Sequence, residues 1–293
     1  MAQRKRKIVD RTIDGLKKLV VAGDSNCSLD HPTQDTTKNW GTLAATALSL
    51  THVDRGIAGS YQLPVGVSGN GEYFTSIALG TDIADAICLV FGGNDVRFLG
   101  TPEVVRDSYC RRCDAILSKD IPVFVGLVSP FFSPEPAATA ALARRLNDLL
   151  RKTFPSRMVL DFETGFLGPR TVTAIATGTE ICTAVAHGFA TGDGPVNWSS
   201  SVLPTTSPSI TITTNYWVRR EAADTFTLYD TQAHANAGGA TGRLDFTGTG
   251  TAPHAVGMYT MTSGVIAEGG VHLNVAGHQK RKDVAVALIT PRL

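Results

Sequence analysis

Short apolar runs alternate with longer amphipathic segments over the first 168 residues of the chain. The apolar runs have the length of strands, and we predict strands at residues 19–22, 51–55, 87–91, 123–128 and 158–161. The segments between them repeat their apolar residues at three- and four-residue intervals, as Leu142, Leu146 and Leu149 do. Alternating strands and helices predict a parallel sheet that is covered by helices.

A different pattern begins near residue 170, where the chain becomes rich in threonine, glycine and alanine. Runs such as "SITITTNYWVRR" alternate β-branched and aromatic residues with polar ones, and turn clusters such as "TGDGP" bound them. This pattern predicts a small all-β unit. A helical pattern returns only in "NVAGHQKRKDVAVALI", with an apolar stripe of Val284, Ala287 and Leu288. We therefore predict one α/β domain, residues 1–169 and 263–293, interrupted by a β-rich insertion at 170–262.

Charge and hydropathy restrict the partners and the location. The chain has 27 basic and 26 acidic residues, which gives no reason to expect nucleic acid or a lipid surface as a partner. The "RKRK" cluster at residues 4–7 is interpreted as a solvated arm. No apolar run approaches the ~20 residues that span a bilayer, and no secretory signal follows the cluster. We expect a soluble protein made in the cytoplasm that stays there, or leaves by lysis or within an assembly.

Several reactive side chains have simpler structural interpretations. The five cysteines do not form a disulfide framework, and Cys110 and Cys113 lie in a helical pattern whose face with Val105, Tyr109 and Ile116 predicts core packing. Three histidines of the insertion lack metal-site spacing, so we expect loop or surface roles. They are His187, His234 and His254. Three aspartates fit helix starts and turn capping. They are Asp82, Asp85 and Asp95. Trp40 fits a helix start, whereas Trp198 and Trp217 are candidates for stacking on sugar rings.

Glycine and polar residues follow three of the predicted strands, as "GDSN" at 23–26, "GIAGS" at 56–60 and "GGND" at 92–95. His272 stands just before the final helix. Ligands of open α/β sheets bind at the carboxyl ends of the strands. A serine becomes a useful nucleophile when an imidazole accepts its proton, and backbone or asparagine N–H groups can then hold the oxyanion. These residue types together indicate acyl transfer.

These motifs resemble those of the SGNH or GDSL-type hydrolases, a flavodoxin-like family of esterases, lipases, thioesterases and carbohydrate deacetylases. The resemblance covers roughly residues 15–168 and 263–293. It implies a three-layer α/β/α fold with a central parallel sheet. It also implies Ser25 of the Gly-Asp-Ser motif as nucleophile, His272 as base and Asn94 of "GGND" as side-chain oxyanion donor. No metal or organic cofactor is implied.

Two positions of the resemblance stay open. The oxyanion glycine of the family matches Gly59 best, because Gly59 follows a predicted strand, and Gly69 in "GVSGNG" is the second match. The family usually has an aspartate three residues before the base, where this chain has Gly269. The adjacent Glu268 is the candidate substitute, and the alternative is a backbone carbonyl that orients the ring of a Ser-His dyad.

The insertion resembles small β modules of bacteriophage tail and other virion proteins. The resemblance depends on "AHGFATGD", "YWV", "ADTFTLY" and "LDFTGTG" and covers about 85 residues. It implies an interaction or substrate-presenting module within a virion. Because the insertion lies between the last sheet strand and His272, its ends are expected at the rim of the active site, where it would shape the cleft.

The combined hypothesis is a serine esterase on a phage or prophage particle, in the tail or on the virion surface. It would remove O-acyl groups, most simply acetyl, from a bacterial surface polysaccharide. Expected partners are an acylated glycan or small ester and other virion proteins; self-association is left open. One alternative, favoured by Gly269, is a virion structural or receptor-binding protein without activity. The other is a cellular lipase or thioesterase, which predicts an apolar acyl channel.

Overall fold

Five parallel strands form the central sheet of the computed structural model, which describes residues 17–27, 36–57, 59–63, 84–98, 101–130, 137–258 and 272–292. The strands are β1 (Lys18–Gly23), β2 (Thr51–Gly56), β3 (Ala86–Val90), β4 (Val123–Gly126) and β5 (Val159–Leu160). Their order, β2-β1-β3-β4-β5, is that of the flavodoxin-like sheet. The predicted fold class is confirmed, and each predicted strand is present with ends that differ by one or two residues.

Helices cover both faces of this sheet. They are α1 (Trp40–Ala47), α2 (Gly93–Phe98), α3 (Pro102–Leu117), α4 (Ala137–Thr153) and α6 (Val275–Ile289), whereas α5 (Gln232–Ala237) lies among the antiparallel strands of residues 170–257. Along β1, Leu19 and Val21 share a core with α1 and α6, whereas Val20 and Ala22 share a core with α3 and α4. A strand buried on both faces is apolar throughout, which explains the short continuous runs in the sequence. In the ranges described above, no helix is long and apolar enough to cross a bilayer.

The final helix α6 buries a wider face than the predicted apolar stripe. Ala287 is exposed, and Val284 and Leu288 are only partly buried. The buried positions are Ala276, Gly277, His278, Arg281, Ala285 and Ile289. The predicted apolar stripe is borne out for Val284 and Leu288, which pack against the core, and not for Ala287. The fully buried positions also include a histidine and an arginine, which hydropathy counts as surface residues.

Residues 170–257, termed the β module, form antiparallel sheets between β5 and α6. The strands are β6 (Arg170–Val172), β7 (Ala174–Ala176), β8 (Ile181–Thr183), β9 (Asn197–Val202), β10 (Thr205–Ser207), β11 (Trp217–Arg220), β12 (Thr225–Tyr229), β13 (Asp245–Gly248) and β14 (Thr251–Gly257). They pair as β11-β12-β8-β7, β6-β14-β9 and β10-β13. Trp198, Phe226 and Phe246 are buried in a core of the module. The all-β pattern is present, and the exact domain limits stay a prediction.

The cysteines have the structural role expected of them in α3. Val105, Tyr109, Cys113 and Ile116 are buried on one face of this helix, and Cys110 is half-buried. All five cysteines of the chain are free thiols. Burial raises the pKa of the Cys113 thiol, so it is protonated at neutral pH.

The histidines of the β module are less exposed than predicted. His187 lies in a loop, as expected, but is buried, and its Nδ1 accepts the backbone N–H of Phe189 at 3.0 Å. His254 is buried in β14. The loop prediction is therefore borne out for His187, whereas the loop or surface interpretation was wrong for His254, which β14 buries in the module. His234 lies in α5, with Nδ1 2.6 Å from a carboxylate oxygen of Asp230. Among the described residues, no three metal-ligating side chains cluster.

Asp95 lies in the first turn of α2, as predicted, whereas the capping prediction was wrong for Asp85. The carboxylate of Asp95 accepts the backbone N–H groups of Gln62 and Leu63, at 2.9 and 3.0 Å, and so holds the segment after β2. Asp85 accepts the backbone N–H of Lys18 at the start of β1. Both carboxylates bind backbone N–H groups of segments that are distant in the sequence, so these partners could not be identified from the sequence alone. Asp82 lies outside the described residues.

The tryptophans divide into buried and accessible positions. Trp40 begins α1, as predicted. Trp198 is buried and cannot stack on a sugar ring, so that prediction was wrong; its polar neighbours in sequence, Asn197 and Ser199, gave no sign of the core around it. Trp217 is partly exposed in β11, and its stacking role stays a prediction.

Candidate active site

Ser25 and His272 lie within hydrogen-bond distance of each other although 247 residues separate them in the chain. The distance from Ser25 Oγ to His272 Nε2 is 3.0 Å, and the two residues are 9% and 7% exposed. Ser25 lies in the turn after β1, and His272 precedes α6. With the ring proton on Nδ1, Nε2 accepts the hydroxyl proton, which is the geometry of a nucleophile and its base.

The turn that presents Ser25 is fixed by its neighbours. Asp24 Oδ1 accepts the backbone N–H of Asn26 at 3.0 Å, and the carbonyl of Asp24 accepts the N–H of Cys27 at 2.9 Å. A Cβ on Gly23 would lie 2.5 Å from Cys27 Sγ and 2.6 Å from the carbonyl oxygen of Val90. The glycine of the Gly-Asp-Ser motif is therefore required by close packing. Burial raises the pKa of Asp24, although the charge of Arg281 and the bond from Asn26 oppose this rise.

Asn26 and Asn274 hold the segment that contains His272. Asn26 Oδ1 accepts the backbone N–H of Leu273 at 3.0 Å, which ties the residue after the histidine to the serine turn. Asn274 caps α6 through Gly277 N–H at 3.0 Å, and its Nδ2 donates to the carbonyl of Gly257 at 2.8 Å. Sequence reasoning missed both asparagines. The sequence feature that could have identified them is a side-chain amide within two residues of a candidate catalytic residue.

The β module contacts the helix that follows His272. Asn197 Oδ1 in β9 accepts the backbone N–H of Ala276 in the first turn of α6, at 2.7 Å. The two ends of the module lie together, because Arg170 pairs with Val256 across β6 and β14. No described residue of the module lines the cleft around Ser25. That the insertion shapes the cleft stays a prediction; the described contact of the module with the histidine segment is the bond of Asn197 to Ala276.

Asn94 and the Gly59 turn lie on the other side of the serine. Asn94 Nδ2 donates to the carbonyl of Ser60 at 3.0 Å, and Ser60 Oγ donates to the carbonyl of Gly23 at 2.9 Å. One N–H of the Asn94 amide is used in this way, and the second can point to a ligand. Gly59 lies in an exposed turn with a φ of +77°, a conformation that favours glycine. Burial raises the pKa of Asp95, which anchors the same loop, to about 6.

A cleft of about 450 Å³, part of it open to solvent, joins these groups. It is lined by Asp24, Ser25, Asn26, Val90, Phe91, Gly93, Asn94, Arg97, Leu127, Val128, Ser129 and Arg281. The structure thus brings Ser25, Asn94 and two arginines to one cleft and His272 to Ser25, while Gly59 does not line this cleft. Glu268, Gly269 and Gly69 lie outside the described residues, so the roles assigned to them stay predictions.

Two buried basic side chains of α6 were not foreseen. His278 Nδ1 accepts the backbone N–H of Trp40 at 3.3 Å, and burial lowers the pKa of this imidazole to about 3, with further lowering from the charges of Arg281 and His272. Arg281 is 3% exposed, and its Nη2 donates to Ser129 Oγ at 2.8 Å. His278 is therefore a neutral structural residue, and Arg281 brings a buried positive charge to the cleft.

The chain matches no family model and no curated protein sequence. Among solved structures it is similar to a carbohydrate acetylesterase family member from Sinorhizobium meliloti, with 16% identity and a TM-score of 0.40 over 47% of this chain and 78% of that one. It is also similar to a lipolytic protein of the G-D-S-L family from Veillonella parvula, with 18% identity and a TM-score of 0.42 over 51% and 79%. A third structure, titled TesA, has 18% identity and a TM-score of 0.40 over 56% and 87%.

Proposed function

We propose that this protein is a serine esterase that hydrolyses carboxylic esters at Ser25. The observation that carries the proposal is the 3.0 Å contact between Ser25 Oγ and His272 Nε2, at a cleft that Asn94 also lines. A serine that only satisfies a turn has no need of a buried imidazole from the far end of the chain.

The reaction follows from these positions. Ser25 Oγ attacks the ester carbonyl carbon while His272 Nε2 takes the hydroxyl proton. The tetrahedral intermediate collapses as the C–O bond to the alcohol breaks, and His272 returns the proton to the leaving alkoxide. A water molecule then attacks the acyl-serine with His272 as base. The bond between the acyl carbon and Ser25 Oγ breaks, His272 returns the proton to Oγ, and the carboxylic acid leaves.

The oxyanion needs donors that are in place before it forms. We assign this role to the second N–H of Asn94 and, by the sequence resemblance, to the backbone N–H groups of Ser25 and Gly59. The hydrogen bonds of Ser60 to Asn94 and to the Gly23 carbonyl support the assignment, since they fix the Gly59 turn to the end of β1.

Removal of the serine hydroxyl tests the proposal. In Ser25→Ala, hydrolysis of p-nitrophenyl acetate is expected to fall at least ~10³-fold in kcat, because the acyl-enzyme route is lost. Ser118→Ala is the matched control, because Ser118 is exposed at the end of α3, and it is expected to retain the wild-type rate. Wild-type protein without hydrolysis, or a Ser25→Ala protein with undiminished hydrolysis, would overturn the proposal.

For the natural substrate, we propose O-acyl groups, most simply acetyl, on a bacterial surface polysaccharide, with the protein on a phage or prophage particle. The support is the resemblance of the β module sequence to virion modules. Release of acetate from O-acetylated polysaccharides, compared with release from long-chain p-nitrophenyl esters, tests this assignment. Faster hydrolysis of the long-chain esters would favour the cellular lipase or thioesterase instead.

A virion structural or receptor-binding protein without activity is the second candidate. It is favoured by Gly269, since an aspartate usually stands at that position in the family that the sequence resembles. A fluorophosphonate probe discriminates the two, because an unactivated serine does not react with it. Labelling that disappears in Ser25→Ala supports the esterase, and no labelling of the wild type supports the structural protein.

A further inference from the structure

Arg281 projects from α6 to the cleft that contains Ser25. It is 3% exposed, and its guanidinium carbon lies 4.8 Å from the centre of the Phe162 ring. A single hydrogen bond, from Nη2 to Ser129 Oγ at 2.8 Å, orients it toward the end of β4. The side chain is therefore held in place on two sides while it lines the cleft.

The guanidinium of Arg281 is incompletely satisfied. Nε and Nη1, which bear three of its five N–H groups, are buried and have no hydrogen-bond partner among the residues that the structure describes. Within the same residues, no carboxylate lies at ion-pair distance from it. Buried charges in proteins are ordinarily paired, and buried N–H groups are ordinarily bonded, because their desolvation is costly. Among the described residues these donors have no acceptor, so they are available to an anion or another strong acceptor that enters the cleft.

The cleft itself favours an anion. Its charged residues are Arg281, Arg97 and Asp24. Two arginines face one aspartate, so the balance of charge at the cleft is positive even when Asp24 is ionised. Arg281 and Ser25 line the same cleft, in which Arg281 is bonded to Ser129 after β4 and Asn94 follows the end of β3.

We infer that Arg281 binds an anionic group of the ester substrate, a carboxylate in the simplest case. The substrate class is then esters that carry a negative charge close to the scissile bond, on the acyl or the alcohol part. This inference rests on the proposed esterase function and specifies its substrate. Arg281 acts as a specificity-determining residue, because its contact distinguishes an anionic ester from a neutral ester of similar shape.

Two pairs of esters test the inference. For the alcohol part, 4-acetoxybenzoate is compared with its methyl ester. For the acyl part, p-nitrophenyl hemisuccinate is compared with p-nitrophenyl valerate. Within each pair we measure the ratio of kcat/KM for the anionic ester to kcat/KM for the neutral ester. Comparing this ratio between variants cancels the intrinsic reactivity of the esters.

Arg281→Gln is expected to lower the ratio ~10- to 100-fold in at least one pair, because a hydrogen-bonded charge pair is lost. Lys282→Gln is the matched control; it removes the same charge one residue along α6, from a side chain that does not line the cleft, and should leave both ratios unchanged. Unchanged ratios in Arg281→Gln for both pairs would overturn the inference.

Two further measurements keep the result decisive. If Arg281→Gln does not fold, Arg281→Lys replaces it, and a several-fold lower ratio is expected because lysine cannot reproduce the planar donor set. An unchanged ratio in that variant also overturns the inference. Hydrolysis of the neutral esters tests the esterase proposal separately, because these esters carry no charge for Arg281 to bind. If the neutral esters are not hydrolysed, calorimetric titration of Ser25→Ala with 4-acetoxybenzoate still tests the anion site. Binding to Ser25→Ala that is lost in Ser25→Ala/Arg281→Gln supports the site. No binding to Ser25→Ala, or equal binding to both variants, excludes the site.

Discussion

The side-chain carbonyl of Asn197 accepts a hydrogen bond from the backbone N–H of Ala276 at a distance of 2.7 Å. Asn197 belongs to β9 of the β module, whereas Ala276 lies four residues after His272, in the first turn of α6. The amide nitrogen of Asn197 donates to Thr214 and Asn215, so the side chain is fixed within the module. The module thus supports the helix whose start positions the histidine of the candidate active site.

Asn197→Leu should therefore lower kcat for p-nitrophenyl acetate about 10-fold with little change in KM. It leaves the Ala276 N–H unpaired, and small misplacements of a catalytic group cost much of the rate. Asn197→Asp is the matched comparison. It keeps the acceptor for Ala276 but loses the donors to Thr214 and Asn215, so it should retain most of the kcat while lowering the melting temperature. Equal kcat values in the two variants would argue against the support role.

Asn94→Ala is expected to lower kcat about 10²- to 10³-fold, because a donor to the oxyanion is lost in the transition state. KM should stay within a few-fold of the wild-type value. Ser60→Ala serves as the control for loop displacement, since it removes the bond to the Gly23 carbonyl but keeps the backbone carbonyl that Asn94 contacts. If both variants lose the same rate, Asn94 acts through the loop and not on the oxyanion.

Gly23→Ala should destabilise the protein by about 1–3 kcal/mol, because its methyl group would overlap Cys27 Sγ and the Val90 carbonyl oxygen. Gly178→Ala is the control at an open position, where an added Cβ would meet no atom within 4 Å. Urea unfolding of the two variants measures the difference in the free energy of unfolding. A Gly23→Ala protein as stable as Gly178→Ala would show that the turn can shift without cost.

The raised pKa of the Asp95 carboxyl predicts that the stability of the protein depends on pH. Burial raises the pKa of its carboxyl to about 6 in the folded protein, so the folded state binds the proton more tightly than the unfolded chain. The contribution of Asp95 is therefore fully present below pH ~4 and is lost as the pH rises to about 6. Relative to Asp95→Asn, which does not ionise, the wild-type free energy of unfolding should fall by on the order of 2 kcal/mol between pH 4 and pH 7.

Urea unfolding of both proteins across this pH range measures the effect. Loss of one carboxylate acceptor for Gln62 or Leu63 adds a penalty to Asp95→Asn that does not change with pH, so only the slope of the difference is informative. A difference that is constant from pH 4 to pH 7 would contradict the raised pKa.

The sequence by itself was sufficient for the parallel sheet and for the neighbourhood of Ser25 and Asn94. A strand that is buried on both faces is a continuous apolar run in the sequence, so it can be identified there. Parallel strands have their carboxyl ends at one edge of the sheet, which brings the motifs that follow them together. The sequence also predicted His272 as the base through its family resemblance, and the structure places its Nε2 3.0 Å from Ser25 Oγ.

Only the tertiary structure decided which polar residues are buried and which segments they hold. The burial of Arg281 and His278 in α6, the bond of Asn197 to Ala276 and the tether of Asp95 to Gln62 each join segments far apart in the chain. A polar side chain is stable in the interior when another element supplies its partner, and hydropathy along one segment does not record that partner. The sequence therefore determined the sheet and its motifs, whereas long-range hydrogen bonds determined how the site is supported and charged.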